Sequence, residues 1–109
     1  MTMHVLPMSI KSESLLPQEV AQRMSNRAVG ERLRRLRVAL GLTPSEISDY
    51  LGIERTYWSR FEKGRQGLSD SVAALLTIRF GVTLDYLILG DASNLSVSLS
   101  EKIRAVDPE

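Results

Sequence analysis

The sequence predicts an all-α fold, and three observations carry that expectation. Apolar residues recur at helical spacing instead of alternating, Pro and Gly cut the chain into short segments, and Ser, Thr or Asp heads several of those segments as a capping signal. At 109 residues the chain has room for one domain with terminal extensions, and the pattern divides it into 1–28, 29–90 and 91–109.

Pro17 to Met24 is expected as a short helix presenting Leu16, Val20 and Met24, after a first dozen residues that look poorly ordered. Val29, Leu33, Leu36 and Leu40 then follow an i, i+4, i+7, i+11 stripe, with Arg32, Arg34 and Arg35 off it. Asn26 or Ser25 caps the start of this helix and Gly41 its end. Thr43-Pro44-Ser45-Glu46 is a second start signal: Thr43 can accept from the N3 amide, Glu46 can reach back, and Pro44 sits in the first turn, where it lacks nothing. Ile47, Tyr50 and Leu51 form the apolar side of that helix and Gly52 ends it. Only Ile53 and Glu54 precede the next periodic segment, Arg55 to Lys63, which stops at Gly64. Two short helices joined by such a glycine-containing turn have the signature of a helix-turn-helix.

Beyond the connection GRQGLS, Ser69 or Asp70 caps a helix with Val72, Leu75, Leu76 and Phe80 as its apolar positions and Gly81 at its end. A short helix from Leu84 to Leu89 is closed by Gly90, and the tail has Leu99, Ile103 and Val106 on one side of a further helical turn or two.

The Arg55–Lys63 helix carries the chemistry. At 100° per residue, Arg55, Thr56, Ser59, Arg60 and Lys63 fall within an arc of about 140°, while Trp58 and Phe61 point the other way. Two guanidinium groups suit guanine O6/N7 or phosphate, hydroxyls can bond to either, and a lysine suits phosphate. Basic and hydroxyl residues on a helix are most often merely solvated; the position of this face on the second helix of a helix-turn-helix, the element that ordinarily enters the major groove, favours DNA contact. Trp58 could stack on a base, but its core-facing position with Phe61 three residues later makes it a packing residue. The Tyr57 hydroxyl reaches either a phosphate or water. Glu54 is expected to cap helix amides, with acceptance from cytosine N4 as its other role.

Arg37 lies on the apolar stripe and needs a partner there. Glu62, four residues after Trp58 at the inner edge of its helix, is the expected one, and the pair would tie the two helices together beneath the polar face; the alternative is that either side chain is partly exposed and unpaired.

Composition excludes most other chemistry. With no Cys, and His4 the only histidine, the chain offers no thiolate site, no imidazole pair for zinc and no cofactor or metal cluster; an enzyme is not expected. Its N-terminus lacks a signal-peptide pattern and no stretch approaches the ~18 apolar residues of a membrane span, so a cytoplasmic protein is expected. The net charge of +1 conceals an asymmetry: residues 29–65 hold eight Lys and Arg against five Asp and Glu, a balance of +3, and the remainder carries −2. That places the basic side on the Val29–Leu40 helix and the Arg55–Lys63 face.

The strings GERLRRLRVALGLT, PSEISDYLGIERTYWSRFEKG and FGVTLDYLILG, in that order, resemble the lambda-repressor and Cro type of helix-turn-helix, the XRE family of bacterial and phage regulators; the likeness covers residues 29–90 of 109. It implies a five-helix domain with short N- and C-terminal extensions that represses transcription from palindromic double-stranded operators as a homodimer. It also implies base reading by Arg55, Thr56, Ser59 and Arg60, backbone contacts from Thr43, Tyr57, Lys63 and Arg65, and a salt-bridged Arg37–Glu62 pair. The chain departs from the family at Pro44, where glutamine usually contacts phosphate and braces the reading helix, at Ser48 in place of a small alanine, and after Gly64, where a frequent proline is missing. The terminal segments, Ser14 to Met24 and Ser93 to Val106, are candidates for the dimer contact or an effector partner, or else simply pack onto the domain or are disordered, and a competing reading of the chain is an antitoxin or regulatory adaptor that holds a protein partner through this fold and its extensions.

Overall fold

The computed structural model describes residues 15–107, and the expectations for His4, Ser14 and the first dozen residues lie outside the described residues. The described residues form helices and no strand, as expected of an all-α chain.

Helix α1 (Gln18–Arg23) has Pro17 and Met24 as its caps. It buries none of its residues: Leu16 and Met24 are exposed and Val20 is half-buried, so the apolar side expected there is not seated in the core. Six residues make fewer than two turns, too short to present a continuous stripe. Helix α2 (Asn26–Ala39) is capped by Ser25, whose hydroxyl accepts from the Ala28 amide at 3.1 Å, leaving Asn26 as its first helical residue. Val29, Leu33 and Leu36 are buried, and Gly41, with φ of 72°, turns the chain so that the Leu42 amide reaches the Arg37 carbonyl.

Helix α3 (Pro44–Leu51) starts with the expected capping box, Thr43 Oγ1 accepting from the Glu46 amide at 3.1 Å and Glu46 Oε1 from the Thr43 amide at 2.9 Å. Hydrogen bonding to Thr43, its backbone amide foremost, lowers the Glu46 pKa. Ile47 and Leu51 are buried, but Tyr50 is 55% exposed, contrary to expectation; its ring meets Phe80 edge-on at 6.0 Å across the surface. Ser48 is buried and donates to the Pro44 carbonyl at 2.6 Å, which satisfies the hydroxyl that replaces alanine. Gly52 (φ 69°), Ile53 and Glu54 lead into α4 (Arg55–Glu62), with Lys63 as its C-cap.

Helix α5 (Asp70–Phe80) is capped by Ser69, which accepts from Val72, and a π-helical turn (Asp85–Leu89) follows, with Thr83 Oγ1 accepting from the Tyr86 amide. Helix α6 (Val97–Arg104) is capped by Ser96 and buries Leu99 and Ile103, with Val106 just beyond it. Leu99 and Ile103 join Leu33, Leu36, Trp58, Leu76 and Leu87 in one continuous core. No described helix is long and apolar enough to cross a membrane.

The arginines of α2 hold this core closed. Arg32 donates to the carbonyls of Arg23 (2.6 Å), Leu87 (2.9 Å) and Ile88 (3.3 Å), joining the end of α1 to the π turn. Burial lowers its pKa. Arg35 donates to the Val106 carbonyl at 3.0 Å, and Arg34 forms a two-pronged pair with Glu31 and reaches the Asp107 carbonyl at 3.3 Å. The basic side expected on α2 is therefore turned toward backbone carbonyls and Glu31 instead of outward.

Candidate nucleic-acid interface

The position of α4 is set from beneath. Arg37 grips Glu62 with two donors, Nε to Oε2 at 2.6 Å and Nη2 to Oε1 at 3.2 Å, while its Nη1 donates to the Leu42 carbonyl at 3.0 Å. The side chains retain 15% and 13% exposure, so the pair is largely withdrawn from water. Trp58 Nε1–H donates to the same Glu62 carboxylate, a bond the sequence reading did not anticipate although the i, i+4 spacing was visible. Trp58 is fully buried, in keeping with a packing role. From above the pair, α2 lies directly on the end of α4: a methyl group added at Gly30 would collide with the Phe61 carbonyl and stand 2.6 Å from that of Glu62. The need for glycine here had no local signal, because Gly30 is an ordinary helical residue whose constraint comes from a helix distant in sequence.

The opposite face of α4 is open. Arg55, Thr56, Arg60 and Lys63 are exposed and Ser59 is half-buried, so the five residues grouped by helical angle do share an accessible side. Arg55 Nη2 donates to Ser45 Oγ on α3 at 2.7 Å. The bond ties the start of α4 to the residue after Pro44 on α3, a contact that spacing alone does not disclose. The Arg60 guanidinium lies 5.9 Å from the centre of the Tyr57 ring, which gives it a cation–π platform. Tyr57 itself is 44% exposed and borders a shallow cleft with Ile53, Phe61 and Val72. Thr43 is exposed, and with its oxygen accepting in the capping box its hydroxyl proton remains available to donate. Arg65 is exposed in the turn after α4, where its amide returns to the Arg60 carbonyl at 2.9 Å and Gly64 has φ of 70°.

Glu54 departs from expectation. It occupies the N-cap position of α4 with extended backbone, but its side chain makes no capping bond and instead accepts from the Thr56 hydroxyl at 3.5 Å. A glutamate side chain is longer than those of Ser, Thr, Asp and Asn, the preferred capping residues, which fits its failure to close the short ring that a cap requires.

Helices α3 and α4 with their three-residue turn, which begins at Gly52, define a helix-turn-helix. The family model described as a helix-turn-helix domain matches residues 28–86, and the chain belongs to that family. It is 31% identical over 74 residues to a propionyl-CoA carboxylase regulator of Cereibacter sphaeroides, a match covering 68% of this chain and 16% of that protein. It is 32% identical over 82 residues to the HTH-type transcriptional regulator PrpR of Mycobacterium tuberculosis, covering 75% of this chain and 17% of that one. An uncharacterized SPbeta prophage-derived HTH-type transcriptional regulator of Bacillus subtilis, YonR, is 31% identical over 61 residues, 56% of each chain. This chain spans about one sixth of the length of the first two relatives, where the matches cover 16% and 17%, and about half of the third. No solved structure gives a significant match. The helix-turn-helix expectation drawn from the motif strings is met by the family match.

Proposed function

We propose that the chain is a sequence-specific double-stranded DNA-binding transcriptional regulator that inserts α4 into the major groove. The observation that carries this reading is the outward side of α4: two arginines, a lysine and two hydroxyl residues on one accessible arc, over a helix whose inner side is tied to α2 through Arg37, Glu62 and Trp58. Arg55, Thr56, Ser59 and Arg60 read bases; Thr43, Tyr57, Lys63 and Arg65 hold the phosphate backbone. The relatives named as transcriptional regulators support the same class.

The chain acts by binding and not by catalysis, in the cytoplasm, where the DNA is. It binds as a homodimer on a palindromic operator, because one interface of this size rarely supplies enough affinity and specificity, and two-fold symmetry places the two α4 helices about one helical turn apart, roughly 34 Å. Occupancy of the operator blocks transcription, which makes the protein a repressor.

Selection from random duplex DNA, followed by titration of the selected operator, tests the reading. Arg55→Ala and Arg60→Ala are each expected to weaken operator binding by about 1–3 kcal/mol and to relax base preference at the position each contacts. Lys63→Ala is expected to weaken all duplexes alike and to flatten the salt dependence by about one phosphate contact. Equal affinity of the wild type and both arginine variants for every duplex would end the base-reading assignment.

A further inference from the structure

We propose that Glu54 is a specificity-determining residue that selects a cytosine in the major groove, through acceptance of the N4 amino proton by its carboxylate; the proposal rests on the DNA-binding reading above. Three features of the side chain carry it. Glu54 stands at the tip of α4, immediately before Arg55, and is exposed. The structural task that its position would give it, capping the α4 amides, is not performed by its side chain. Finally, Arg55 makes no ion pair with Glu54, its Nη2 donating to Ser45 on α3, and the carboxylate receives one long contact from Thr56, with Oε1 unpartnered among the described residues.

A carboxylate at the leading end of a groove-reading helix is not neutral toward DNA. Phosphates repel it, so it contributes nothing to general affinity. Base edges treat it unequally. In the major groove guanine offers O6 and N7 and thymine offers O4, all acceptors, which a carboxylate meets unfavourably; adenine places its N7 acceptor beside its N6 donor; cytosine presents the N4 amino group alone. The favourable edge for an acceptor without a proton is therefore cytosine. The Thr56 hydroxyl donates to the same carboxylate at 3.5 Å and so restricts its motion at the start of α4. Glu54 thus adds discrimination while lowering non-specific attraction, a different contribution from that of the arginines beside it.

The test uses the full chain and the operator obtained by random-duplex selection. Affinities are measured for all four bases at each half-site position with wild type, Glu54→Ala and Glu54→Gln, with helicity and melting temperature checked for each. Wild type is expected to prefer cytosine by about tenfold or more at one position, in line with a single good base contact. Glu54→Ala should lose the preference at that position alone, and Glu54→Gln should move it toward adenine, which a carboxamide can pair with at N6 and N7. Unchanged base preferences in Glu54→Ala, with or without a general rise in affinity from the lost phosphate repulsion, would overturn the proposal while leaving the DNA-binding reading intact. A wild type with no preferred sequence would overturn both.

Discussion

Glu62 gathers three buried or half-buried donors' bonds beneath α4 onto one carboxylate. It accepts from Arg37 twice and from Trp58 once, and both donors are largely or fully withdrawn from water. Its removal leaves the Arg37 guanidinium without its counter-charge, held only by the Leu42 carbonyl, and the Trp58 indole N–H without its acceptor, so Glu62→Ala should destabilise the protein by about 3 kcal/mol, measured by denaturant unfolding. Glu62→Gln, which keeps one acceptor oxygen, should cost less. The Arg37–Glu62 pairing was legible in the sequence because a charge on an apolar stripe requires a partner and only certain positions of the facing helix can supply one. The Trp58 contribution was not read, and neither was the departure of Glu54 from capping, since residue type at a cap position does not reveal where a longer side chain extends.

At the scale of the elements, caps and glycines made most helix boundaries legible, because the groups that start and stop a helix are local. Thr43 and Glu46 supply a test. Hydrogen bonding holds the Glu46 pKa below its unfolded value, so the stabilisation from the ionised carboxylate is present above the unfolded pKa of about 4.5 and is lost as pH falls through the lower folded value. Between pH 7 and pH 3, Thr43→Ala, expected to cost about 1 kcal/mol at neutral pH, should lose less further stability than wild type, as monitored by thermal unfolding across that range. The crossing of α2 on α4 supplies another. Gly30→Ala should destabilise by about 1–3 kcal/mol despite the better helix propensity of alanine, because the new methyl meets carbonyl oxygens that belong to the backbone and cannot rotate away. A variant as stable as wild type in denaturant would contradict the close approach. What was illegible at this scale was tertiary: α1 is too short to seat its apolar residues, and Tyr50 leaves the core for an edge contact with Phe80.

For the whole molecule, α6 changes the view of the tail. Leu95, Leu99, Ile103 and Val106 are all buried, and Arg34 and Arg35 reach carbonyls at residues 106 and 107. A chain ending at residue 90 should therefore unfold in less denaturant, with a loss of about 3–5 kcal/mol after the ordering entropy of the tail is deducted from its apolar burial. Unchanged stability would mark residues 91–109 as a dispensable extension. Helical spacing did indicate Leu99, Ile103 and Val106, but the surface they cover lies on α2, far away in sequence. The arginine carbonyl clamps were equally hidden, since a guanidinium drawn toward a peptide oxygen carries no pattern in the sequence. With those α2 charges folded inward, the cations left facing out on α4 and the turn after it are Arg55, Arg60, Lys63 and Arg65. On the proposed DNA-binding reading, so short a row of outward cations would displace few counterions, and affinity for arbitrary duplex should fall less steeply with added salt than in a protein whose α2 charges also faced out.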